Sequence, residues 1–114
     1  MLTYAIVCFA VAALGGLILA SSVLRGAFAP WGLSLLHAML GAAGLVLVLL
    51  VVMQGAANPV IAALIILAIA AIGGFFLASF HLREQIPPRA IVFVHAVAAV
   101  TGFLILVGSV YRLI

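Results

Sequence analysis

Leu36-His37-Ala38-Met39-Leu40-Gly41-Ala42-Ala43-Gly44 returns 58 positions later as Val94-His95-Ala96-Val97-Ala98-Ala99-Val100-Thr101-Gly102. Each copy carries a His, then Ala, a small residue four positions after the His and a Gly seven positions after it. On a helix these offsets fall on one face. Each copy therefore reads as an apolar helix with one imidazole beside a flat strip of small residues.

The surrounding composition makes that helix a membrane span. Of 114 residues 71% are apolar and 4% charged, and the mean hydropathy is +1.67. Such a chain cannot hide its apolar surface in one soluble core. It divides into four apolar runs, 2–24, 31–53, 59–82 and 90–111, each near the ~20 residues that cross a bilayer. Backbone amides in lipid must pair within their own segment, so the runs are predicted to be helices. Short loops make neighbours antiparallel. The predicted fold is an all-α membrane protein, a single four-transmembrane-helix bundle over residues 1–114.

The duplication extends beyond the histidines. At the same offset Ala12, Ala13, Gly15 and Gly16 match Ala70, Ala71, Gly73 and Gly74; Leu24, Arg25 and Pro30 match Leu82, Arg83 and Pro88. Ala and Leu coincide cheaply in this composition, whereas Gly pairs, Arg, Pro and His do not. Residues 1–56 and 59–114 are thus read as two tandem two-helix repeats. With two spans each, both enter the membrane in the same sense, which predicts a pseudo-twofold axis along the membrane normal.

Charge placement predicts orientation. Arg25, Arg83 and Arg89 flank the first and third loops, while Gln54 to Asn58 carry no charge. The positive-inside rule puts those two loops in the cytoplasm and both termini outside, in what is predicted to be a bacterial inner membrane. The first run lacks a basic n-region and is longer than a signal-peptide core, so it is expected to be a retained span. Four arginines in so apolar a chain make no nucleic-acid face. Cys8 stands alone, so no internal disulfide is possible. Proline at each loop end, Pro30 and Pro88, suits the first turn of the next helix; Trp31, Tyr4 and Tyr111 are expected to anchor at headgroup depth.

Ionisable side chains inside spans usually face the bundle interior and mark function. His37 and His95 share one depth and one entry side, and small strips, Ala12-Gly16-Ala20 and Ala70-Gly74-Ala78, offer room for a backbone or a flat ligand. Bis-imidazole ligation of haem iron needs this arrangement. The expected cofactor is haem b, with His37 and His95 as metal ligands. Gly16, Gly74, Gly44 and Gly102 line the macrocycle, and Arg25 and Arg83 sit where propionates would emerge. The competing reading is that the imidazoles only hydrogen-bond helices together. His81, with Val23 in its place in the first repeat, is expected to be an interfacial residue, with a proton or quinone contact, an alternative ligand pairing or a three-His transition-metal site as further options.

The arrangement resembles the membrane cytochromes b, in which paired His on bundle helices ligate haem. That resemblance of architecture implies electron transfer, with a quinone as a possible partner. The expected function is a small b-type cytochrome or the haem-bearing anchor subunit of a redox complex, accompanied by membrane lipid and a larger assembly or a homo-oligomer. The alternative is a non-catalytic accessory transmembrane subunit. No acid and base pair, nucleophile, phosphate loop or Cys cluster points to a self-sufficient enzyme. Length and span count also resemble the small multidrug resistance proteins, but those depend on a membrane carboxylate and these spans have none. A single His on the magnesium of a chlorophyll is a further option.

Overall fold

A computed structural model describes residues 1–114 as four helices, α1 Leu2–Leu24, α2 Trp31–Met53, α3 Asn58–Leu82 and α4 Arg89–Val110. Each is long and apolar enough to cross a membrane. At 1.5 Å per residue a helix of this length spans roughly 35 Å, slightly more than a hydrocarbon core. The first two helices have the predicted bounds. The last two each begin one residue earlier, with Pro59 in the first turn of α3 and Pro88 just outside α4, and α4 also ends one residue earlier, at Val110. Pro30 and Pro88 are extended N-cap residues rather than first-turn residues, and their carbonyls accept the first amides of α2 and α4.

The helices form a square in which α1 packs chiefly on α2 and α3 chiefly on α4. The α2/α3 and α1/α4 seams are thinner, and the backbones of the diagonal pairs stay apart. The first hairpin turns through Gly26, whose φ of 78° lets its own amide and that of Ala27 cap the carbonyls of Val23 and Ser22. This is the left-handed C-cap that glycine favours. The position 58 residues on is Glu84, which adopts φ 55° in the second hairpin.

Packing is uneven along the bundle. The dry core, Ala5, Phe9, Val48, Val60, Ala63, Leu67 and Leu106, lies toward the Gln54–Ala57 loop. Toward the other two loops, beyond Ala12 and Ala70, only Ser22 and Val92 are buried. Large apolar side chains such as Leu14 (64% exposed) and Phe75 (72%) cover the outside, a surface suited to lipid.

Candidate functional site: two imidazoles on the bundle axis

Within the first hairpin, His37 of α2 reaches across to α1 and donates Nδ1–H to the carbonyl oxygen of Ala12 at 2.7 Å. In the second, His95 of α4 does the same to Ala70 of α3, also at 2.7 Å. A carbonyl can only accept, so each ring carries a proton on Nδ1, and a neutral ring so bonded has its lone pair at Nε2. This bond fixes both tautomer and ring orientation.

Both acceptors are helix carbonyls, and the residue four positions on is what makes them reachable. Those residues are Gly16 and Gly74. A Cβ on Gly16 would lie 3.0 Å from Cε1 of His37, and one on Gly74 3.2 Å from Cε1 of His95. Any side chain there would compete with the ring for the same space. The small-residue strip is thus filled by the imidazole of its own hairpin.

The two rings meet although their helices lie on a diagonal. Their centroids are 6.2 Å apart and their planes cross at 76°. Both residues are half-buried, at the level where the dry core gives way to the looser half. Gly44 and Gly102, seven residues on, serve that core. A Cβ on Gly44 would meet the Phe9 ring at 2.7 Å, and one on Gly102 would meet Cγ of Leu67 at 2.7 Å.

The arginines remain at the surface. Nε of Arg25 donates to the Ser21 carbonyl at 3.0 Å, and Nε of Arg83 to the Ser79 carbonyl at 3.1 Å. Each thereby adds a second donor to a carbonyl that already accepts the same arginine's backbone N–H. Arg83 also lies over the Phe80 ring, 4.7 Å from its centroid.

Two contacts escaped the sequence reading. His81 stacks on Trp31, centroids 3.8 Å apart and planes within 10°, with Phe28 6.0 Å away and nearly parallel. Arg89, read above only as a topology signal, donates from Nη2 to the Leu24 carbonyl at 3.1 Å. Trp31 and Arg89 occupy equivalent positions 58 apart. One pins α2 to α3, the other α4 to α1. The equivalence at helix starts facing a neighbouring hairpin was the available signal.

The three-His metal option fails, because no group of three or more His, Cys, Asp or Glu side chains comes together. His81 is engaged with Trp31, away from the imidazole pair. The pair supplies two nitrogen donors, fewer than the four ligands of a closed zinc site. No family model matches the chain, and neither a curated protein nor a solved structure is similar to it.

Proposed function

We propose that this protein is a small membrane electron carrier in which His37 and His95 supply the two axial nitrogens of one haem b. The observation that carries this reading is the 6.2 Å centroid separation of two rings whose Nδ1 protons are held by backbone carbonyls. Two imidazoles that shared one metal ion through bonds of about 2.0 Å would need their centroids at about this spacing, with both Nε2 atoms turned to the ion. The haem would supply a one-electron couple in a water-poor interior, its potential set by the neutral imidazoles and the surrounding apolar side chains.

In this reading the two hairpins are related by a pseudo-twofold axis along the membrane normal that passes between the rings. Gly16 and Gly74 seat the imidazoles, and Gly44 and Gly102 close the core behind them. Arg25 and Arg83 meet the propionates at the cytoplasmic surface of an inner membrane, with both termini outside. A quinone or a larger membrane complex exchanges electrons with the site.

A second reading has its own support. Both imidazoles already hold a hydrogen bond inside their hairpins, which is what a purely packing histidine needs. The chain would then be an accessory subunit whose exposed apolar faces pack on a larger assembly. Reduced-minus-oxidised absorption of the purified protein separates the two. The cytochrome reading expects a Soret shift on dithionite reduction that His37→Ala and His95→Ala each abolish and His81→Ala retains. A folded, colourless wild type, or loss of the spectrum only through His81→Ala, overturns it.

A further inference from the structure

The two hairpins are joined by the chain at one end only. There the Gln54–Ala57 loop runs beside the dry core, in which Ala5, Phe9 and Val48 of the first hairpin cluster with Val60, Ala63, Leu67 and Leu106 of the second. At the opposite end each loop closes its own hairpin and no peptide link passes between the two. Beyond the imidazoles on that side, Ser22 and Val92 are the only buried residues. Two contacts cross the seams there, the Trp31–His81 stack between α2 and α3 and the Arg89 to Leu24 bond between α4 and α1. Arg89 and Trp31 are exposed, so water competes for the first contact and neither is backed by packed side chains. Each imidazole, in contrast, is tied inside its own hairpin, His37 to Ala12 and His95 to Ala70. The 6.2 Å approach of the rings is therefore set by how the hairpins sit together.

We propose that the bundle is a hinged pair of hairpins that pivots on its core end, with the Trp31–His81 stack and the Arg89–Leu24 bond as a latch whose release parts His37 from His95. Close packing holds the core end, through side chains of both hairpins and the connecting loop. The latch end has little of that packing, and the segments with fewest buried contacts are those that open first. Release costs neither ring its partner, because each imidazole travels with the carbonyl that holds it. The latch thus sets the spacing of the pair without touching it. Trp31 and Arg89 stand 58 positions apart, so the two halves of the latch come from equivalent helix starts, one on each hairpin. The motion needs no haem, whose presence decides only what fills the space between the rings.

The test is double electron–electron resonance on the full chain in liposomes, in a Cys8→Ala background, with spin labels at two pairs of equivalent, exposed positions. Ala27→Cys with Gln85→Cys reads the latch end, and Gln54→Cys with Arg112→Cys reads the core end. Arg89→Gln and His81→Ala are each expected to raise the fraction of longer latch-end distances by about fivefold, and the two together by more. Core-end distances stay as they are in the wild type. Helical circular dichroism and a monodisperse elution profile establish that each variant is folded. Latch-end distances unaltered in the chain carrying both substitutions overturn the proposal. So does equal widening at both ends, which would mean that the hairpins separate along their whole length instead of pivoting.

Discussion

His37 and Ala12 are joined by a 2.7 Å hydrogen bond from an imidazole N–H to a helix carbonyl that already belongs to the α1 ladder. The ring can take up that position because residue 16, whose Cβ would stand 3.0 Å from its Cε1, is glycine. The sequence pattern Ala-x-x-x-Gly on one helix, with His 25 residues after the Ala, is therefore a unit. It appears once in each hairpin.

That unit makes Gly16→Ala costly where an ordinary helical Gly→Ala is favourable. A new methyl 3.0 Å from Cε1 of His37 pushes the ring off its acceptor. Leaving the pair unbonded costs about 1–3 kcal/mol, against a propensity gain of about 1 kcal/mol. Gly74→Ala, with 3.2 Å available, is expected to be milder. Gly41→Ala meets nothing within 4 Å and should stabilise the bundle. Thermal unfolding in detergent orders the three.

The core glycines respond more strongly. A methyl on Gly102 meets Cγ of Leu67, a branch point that cannot swing aside, whereas on Gly44 it meets the far end of the Phe9 ring. Gly102→Ala is expected to cost about 1–3 kcal/mol by overpacking, and Gly44→Ala less, in the same unfolding assay.

Glu84 carries φ 55° where the first hairpin has Gly26. A side chain in the left-handed region costs roughly 1–2 kcal/mol. Glu84→Gly should recover about 1 kcal/mol, read as a raised unfolding temperature; no change would mean that this turn relaxes in the membrane.

The two seams can be loosened separately. Arg89→Ala removes the α4-to-α1 bond at an exposed site and should cost about 0.5–1 kcal/mol. His81→Ala uncovers Trp31, the chain's single Trp, and should change its fluorescence, while Arg89→Ala leaves that emission unaltered. Equal emission in wild type and His81→Ala would contradict the 3.8 Å stack.

If one haem iron lies between the imidazoles, their 76° crossing has a spectroscopic consequence. Near-perpendicular axial rings leave two iron d orbitals almost equal in energy. The oxidised protein should then give a strongly anisotropic low-spin electron paramagnetic resonance signal rather than the rhombic signal of parallel rings.

Sequence alone determined the four spans, because an apolar run near the bilayer thickness must pair its amides internally whatever its neighbours are. It also determined that two histidines recur at one offset with Gly16 and Gly74 as their companions. Only the tertiary structure decided what those glycines do, since they leave room for imidazoles bonded to the Ala12 and Ala70 carbonyls, and a backbone acceptor leaves no trace in residue identity. The same holds for Arg89 on Leu24 and His81 on Trp31. Such contacts depend on which hairpin faces which across a seam, and side chains this apolar on every side of a helix encode that choice weakly.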